Sequence, residues 1–265
     1  MNQFIHSTIE LLLFAAFFRV LQAEDCLMAI NANVLRRPSD RGMFLAAAIA
    51  FPLLVLAGYF RSYYFGSFFG NTVPNSLVHF HGIVMTTWVL FFTTQIALIR
   101  TKNVRAHMTF GMVGVALASM VVVVGLATAY DSHIVRKTAP PGMHPYGFML
   151  IALTDLIMFI IFFSAAIILR RRSTEHKALM LLTAINFMPA AIARMPFLPM
   201  ETIILWAYGI PDLVAITSLV WLSVKHRKFN KIYAAAVFLL VISHPVRIIL
   251  TGSQTWIDFV AWVVQ

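Results

Sequence analysis

The sequence predicts an all-α integral membrane protein, a polytopic bundle of seven transmembrane helices in a single domain. Hydrophobic residues make up 60% of the 265-residue chain and charged residues only 11%, and the mean hydropathy is +0.84. Ordinary soluble domains are roughly half apolar and a quarter charged. Seven apolar stretches have the ~20-residue length that a helix needs to cross ~30 Å of hydrocarbon. Lysine and arginine are concentrated in alternate gaps between these stretches.

The seven stretches follow one another along residues 43–250. Continuous apolar runs favour helices over a closed barrel, and the bilayer offers no water that could satisfy any other backbone. The predicted spans are Met43–Phe60, Leu77–Ile99, Met108–Ala129, Tyr146–Leu169, Ala178–Phe197, Ile203–Val224 and Ile232–Leu250. The gaps between them are too short for a separate soluble domain.

The basic residues predict the orientation of the bundle, because cytoplasmic loops carry an excess of lysine and arginine. This excess precedes the first span and follows the second, fourth and sixth, at Arg36, Arg37, Arg41, Arg100, Lys102, Arg105, Arg170, Arg171, Arg172, Lys177, Lys225, Arg227, Lys228 and Lys231. In or beside the other gaps lie Arg61, Arg136, Lys137 and Arg194. We therefore expect the amino terminus in the cytoplasm and the carboxyl terminus outside.

The charge balance and the cysteine count exclude several classes of protein. The net charge of +10 is typical of cytoplasmic loops that meet an anionic leaflet, so the expected partner is the lipid bilayer and not nucleic acid. Cys26 is the single cysteine. This excludes a disulfide within the chain, an iron–sulfur cluster and covalent attachment of a c-type haem.

The two ends of the chain are expected to lie beside the bundle. Residues 1–42 are predicted to form a peripheral segment, with the apolar run Leu11–Phe18 on the membrane surface. A start codon placed too early, with Met28 or Met43 as the true beginning, is an equally open interpretation. Residues 251–265 carry aromatic side chains around a lone aspartate, which predicts a helix lying in the outer interface.

Four histidines at span ends suggest a cofactor. His81 and His144 are expected near the outer side, on or beside spans two and four, and His107 and His176 near the inner side, on spans three and five. A b-type haem inside a bundle needs two neutral imidazoles from different helices that face one iron. One haem in each leaflet would relay electrons across the membrane.

A sequence pattern through this region resembles a known group. It consists of His81-Gly82, Gln95, Arg105-Ala106-His107, Gly111, His176, Met180 and Arg194. It resembles a bacterial multi-pass family of unassigned function, which is in turn similar to the cytochrome b561 group. The resemblance covers Leu77 to about Phe197. It implies a bacterial inner membrane, haem b, and ligand pairs on helices two with four and three with five.

Charged residues within the spans indicate a buried polar network. Asp155, Asp212, Arg194 and Arg247 are expected at comparable depths, together with Asn186. A charge at the bilayer centre costs roughly 3 kcal/mol or more, so such groups pair with one another or face a wet cavity. The network either locks the helices or surrounds a pocket open to the outside.

Two other classes of function remain open at this stage. His81, His244, Asp155 and Asp212 could bind a zinc ion with an open position for water, as in a membrane hydrolase. Alternatively, the protein is a non-enzymatic transporter, receptor-like protein or assembly factor whose outward-facing polar pocket binds a small ligand. Neither a substrate nor a redox or assembly partner follows from the sequence.

Overall fold

The computed structural model of the protein describes residues 41–71 and 75–265, and these form nine α-helices and no strand. The helices are α1 Arg41–Tyr59, α2 Ser76–Arg100, α3 Val104–Tyr130, α4 Pro145–Ile168, α5 Ser173–Ile185, α6 Met188–Ile192, α7 Ile203–His226, α8 Lys231–Thr251 and α9 Gln254–Val263. Wider π-type turns extend α1 through Phe60–Tyr64 and α3 through Asp131–Val135.

Six of these helices, each with any extending turns, are long and apolar enough to cross a membrane: α1, α2, α3, α4, α7 and α8. The all-α prediction is confirmed for the described residues, and these six helices match six of the seven predicted spans. The number of crossings and the orientation of the termini stay predictions. The peripheral segment expected at residues 1–42, including Leu11–Phe18, lies almost entirely outside the described residues.

The fifth predicted span, Ala178–Phe197, differs from the prediction because it is not one helix. Helix α5 ends at Ile185, and the short helix α6 begins three residues later. Pro189 accounts for the break, because proline has no N–H to donate to the carbonyl of Ile185 and its ring clashes with that carbonyl. Asn186, which is fully buried, and Phe187, which is partly buried, join the two helices.

The broken α5–α6 segment runs alongside α1. The ammonium group of Lys177 lies 5.5 Å from the ring centroid of Phe44. Near the other end of α1, a Cβ added to Gly58 would collide with the carbonyl oxygen of Ala191 in α6. Both pairs are separated by 133 residues in sequence, so the two segments are parallel and in constant register. Despite the break, α5–α6 therefore covers the same distance along the bundle as the matching stretch of α1.

Helix α4 packs against helices on both of its sides. Together with α2, α3 and α5 it forms a group that we call the α2–α5 quartet, whose core contains Trp88, Val121 and Phe159. Its other side packs against α8, which also contacts α7 and α5. Gly147 at the start of α4 allows the backbone of Thr251 to approach it closely.

Helix α9 occupies the position at which the sequence predicts an interfacial helix. Its Trp256 donates a hydrogen bond of 2.7 Å from the indole nitrogen to the carbonyl oxygen of Tyr146 in α4. Phe259 and Trp262 of the same helix are exposed. This contact attaches α9 to the first turn of α4, and its placement in a membrane interface stays a prediction.

Candidate functional site

Two histidines from different helices meet at one end of the α2–α5 quartet. His107 and His176 are the fourth residues of α3 and α5, and their ring centroids are 6.3 Å apart with the ring planes at 79°. The Nδ1 atom of His176 lies 2.8 Å from the carbonyl oxygen of Ala166. Because a carbonyl only accepts, this Nδ1 carries the proton, and Nε2 of a neutral His176 has a free lone pair. The Nδ1 atom of His107 is buried and has no hydrogen-bond partner.

Further unpartnered polar atoms lie along one face of α2 that leads to these histidines. His81, Trp88 and Gln95 are spaced seven residues apart, close to two helical turns, so they share a face. The Nδ1 atom of His81, the indole nitrogen of Trp88 and both amide atoms of Gln95 are buried without a partner. Trp88 is fully buried, and its ring centroid lies 5.0 Å from that of Phe159. The quartet therefore contains several polar groups that the described residues leave unsatisfied.

The two histidines that the sequence predicts on the outer side, His81 and His144, have separate contacts in the structure. His144 is exposed and caps the start of α4, where its Nδ1 accepts a hydrogen bond of 3.2 Å from the backbone nitrogen of Tyr146. His81 is partly buried and lies within electrostatic range of the Arg194 guanidinium. The structure thus gives His144 a capping role, which uses its Nδ1.

On the other side of α4, an ion pair lies in the interior. Arg247 of α8 donates a hydrogen bond through Nη1 to the carboxylate of Asp155 in α4. Its Nη2 and Nε atoms donate to the hydroxyl and the carbonyl of Ser243, at 2.9 and 3.3 Å. The arginine side chain is only 1% exposed. Such a group is stable in the interior only when its donors are paired, and Asp155 and Ser243 provide that pairing.

A second acid–base pair lies next to this one. The Nδ1 atom of His244 in α8 is 2.7 Å from Oδ1 of Asp212 in α7. The ring of Tyr208 packs against His244 with centroids 4.6 Å apart and the planes tilted by 38°, and it also lies 5.8 Å from the guanidinium of Arg247. We call Asp155, Tyr208, Asp212, Ser243, His244 and Arg247 the ion-pair network.

Two predicted members of the polar network have different positions. Asn186, at the break between α5 and α6, is fully buried and donates a hydrogen bond of 2.8 Å to the backbone carbonyl of Asp155. Arg194 is exposed, donates to the carbonyl of Ala190 in its own segment and lies 4.9 Å from the ring centroid of Tyr59. Asn186 therefore adjoins the ion-pair network, whereas Arg194 lies apart from it.

A groove between α4 and α8 leads to the network. Its volume is about 250 Å³, and aliphatic side chains such as Leu150 and Val246 form most of its wall. Ser243 and Arg247 also line it.

The four residues of the predicted zinc site do not come together around one point. Asp212 bonds to His244 and Asp155 to Arg247, while His81 lies on α2. Within residues 41–71 and 75–265, no three histidine, cysteine, aspartate or glutamate side chains are grouped closely enough to hold a metal ion.

Three residues of these sites were not candidates from the sequence. Trp88 lies seven residues from both His81 and Gln95, and this spacing could have indicated from the sequence that it shares their helical face. Tyr208 and Ser243 each precede a charged residue by four positions, Asp212 and Arg247, and so share its helical face.

The six apolar helices define a multi-pass integral membrane protein. A narrower family assignment does not follow, because no protein-family model, no curated protein and no solved structure matches this chain.

Proposed function

We propose that this protein binds a histidine-ligated haem between His107 and His176 and relays electrons in a bacterial inner membrane. The observation that carries the proposal is the meeting of these two rings, which come from separate helices and are 69 residues apart in sequence. In the same proposal α5–α6 is a seventh crossing, the amino terminus is cytoplasmic, and the two histidines lie near the cytoplasmic side.

The spacing of the two rings would allow both imidazoles to bind one group between them. The rings come from different helices, and their centroids are 6.3 Å apart. His107 and His176 are therefore the residues that would hold a haem iron in this bundle.

The surroundings of the pair also fit a haem. The carbonyl of Ala166 fixes the protonated nitrogen of His176 and leaves Nε2 as a ligand. The unpartnered amide of Gln95 offers a donor and an acceptor nearby along α2. Lys102 and Arg105, in the loop and first turn before His107, carry the positive charge that haem propionates need. A bound haem would supply one-electron chemistry, and the protein would hold it, orient it and tune its potential.

Absorption spectroscopy of the purified protein tests this proposal. We expect a haem band that shifts on reduction with dithionite, and we expect His107→Ala and His176→Ala each to remove it. His79→Ala is the matched control, because His79 is exposed on α2 and bonds to Tyr63 far from the pair. A colourless wild-type protein from haem-supplied cells, or full absorbance in both alanine variants, contradicts the proposal.

A second candidate function is transport of a small polar solute, and the break in α5–α6 favours it. Interrupted helices at membrane depth are tolerated where they are buried in protein or line a cavity, and transporters place binding sites beside them. Here the break brings Asn186 next to the Asp155–Arg247 ion pair. Uptake of a labelled solute by proteoliposomes that contain a haem-free protein would favour this function.

A further inference from the structure

The ion-pair network has an uneven count of formal charges. Asp155 and Asp212 are two carboxylates, and Arg247 is the one permanent cation that bonds within the network. With both carboxylates ionised and His244 neutral, the network carries one excess negative charge. An uncompensated charge at membrane depth costs roughly 3 kcal/mol or more. One additional positive charge would balance the network.

The geometry provides an atom that can accept that charge as a proton. His244 contacts Asp212 through Nδ1 at 2.7 Å, so its Nδ1 proton is donated to the carboxylate. Its Nε2 atom is buried without a partner, and the whole side chain is only 2% exposed. Protonation of Nε2 converts the pair into an imidazolium–carboxylate ion pair and removes the charge excess.

Among the contacts of the described residues, three ionisable side chains face His244. They are Asp212 and Tyr208 of α7 and Arg247 of its own helix α8. Asp155 of α4 is bonded to that arginine. The α5–α6 break contributes the neutral amide of Asn186, which bonds to the backbone carbonyl of Asp155.

We propose that the ion-pair network is a binding site for one exchangeable monovalent cation, which is held at the His244–Asp212 pair. A proton on His244 and a sodium ion against the carboxylate of Asp212 are two sources of the same charge. Asp212 keeps 22% of its side chain accessible, so the cation can exchange through this carboxylate. The inference is independent of haem binding, because the network lies on the opposite side of α4 from His107 and His176.

Histidine NMR tests the site directly. The protein is labelled with ¹⁵N-histidine, which gives nine side chains to observe, and the His244 signal is identified by its loss in His244→Gln. The protein in detergent is titrated between about pH 4 and 9, a range that covers the ordinary protonation of histidine. The titration is run once in choline chloride and once in sodium chloride.

If the cation is a proton, the His244 signal changes from neutral to doubly protonated with one-proton stoichiometry, equally in both salts. If it is sodium, the His244 signal shifts on addition of sodium chloride at constant pH. Asp212→Asn is expected to abolish either response. Asp258→Asn is the control, because Asp258 lies on α9 and bonds to Gln254, and it should leave the response unchanged.

The proposal is overturned if the His244 signal of the wild-type protein responds to neither pH nor sodium. It is also overturned if Asp212→Asn leaves the response intact. The wild-type titration needs no variant other than the one used for assignment, so misfolding of Asp212→Asn does not prevent a decision. Failure of this test would leave the haem spectrum of the wild-type protein unaffected.

Discussion

The two sides of helix α4 differ in how far their buried polar groups are paired within the chain. Toward α2, α3 and α5, the quartet leaves Trp88, Gln95 and one nitrogen of His107 without partners. Toward α7 and α8, Arg247 and Asp212 are paired through short contacts within the chain. An unpaired buried group costs about 1–3 kcal/mol, so the quartet is the side that gains most from an added partner. The comparison teaches that buried polar atoms without a partner indicate where a ligand would bind, and beside the ion-pair network these include Nε2 of His244 and Oδ1 of Asn186.

The largest expected effect concerns the paired side. Arg247→Gln leaves Asp155 as a buried carboxylate without its cation, and breaking a buried pair in this way costs about 3–5 kcal/mol. We expect a markedly lower melting temperature in detergent. Arg194→Gln is the matched control: because Arg194 is exposed and bonds only to Ala190 and Tyr59 among the contacts described, its effect should stay within about 0.5 kcal/mol. Equal losses from both variants would remove the distinction between the two arginines.

Effects of intermediate size are expected from two glycine substitutions that test how closely each side of α4 is packed. Gly147→Ala directs a methyl group into the backbone carbonyl of Thr251 on α8, which cannot move independently of its helix. We expect a loss of about 1–3 kcal/mol, as for other overpacked sites. Gly125→Ala in the quartet meets the far end of the Leu156 side chain, which can rotate away. In thermal unfolding, the melting temperature of Gly147→Ala should therefore be lower than that of Gly125→Ala. The reverse order would contradict a rigid α4–α8 contact.

The smallest expected effect is a gain in stability, and it concerns the unpartnered polar atoms of the α2–α5 quartet. Gln95→Met keeps the side-chain length and removes two buried atoms without partners, so stability should be unchanged or rise by up to about 1 kcal/mol. Asn186→Leu is the matched amide control and should lose about 1 kcal/mol, because its hydrogen bond to Asp155 is lost. Chemical denaturation in detergent measures both. A clear loss of stability in Gln95→Met would mean that a bound group already satisfies the amide.

Much of the fold could be predicted because membrane helices are recorded in the length and polarity of apolar runs. Leu77–Ile99 was predicted and Ser76–Arg100 is observed, with Asn75 capping the helix through a bond to Val78. The break in Ala178–Phe197 was not predicted. Hydropathy averages over a window, and it does not register one missing donor at Pro189 when the surrounding residues stay apolar.

The candidate sites were less accessible to sequence reasoning. The energetic cost of buried charge indicated that Asp155 would have a basic partner, but depth alone did not distinguish Arg247 from Arg194. The choice depends on rotation about the helix axis and on which helices are neighbours, and neither is encoded in a hydropathy profile. The meeting of His107 and His176 was expected from span ends on one side of the membrane, and their 6.3 Å separation adds geometry that no spacing in the chain could supply.

Adjacent residues of α4 face its two sides, and this has a mechanical consequence. Asp155 bonds to Arg247 of α8, while the next residue, Leu156, packs against Gly125 of α3. Successive residues of a rigid helix are about 100° apart around its axis, so they cannot turn independently. A rotation of α4 that weakened the Asp155–Arg247 ion pair would therefore also move Leu156 relative to Gly125. A structural change on one side of α4 would in this way be transmitted to the other side.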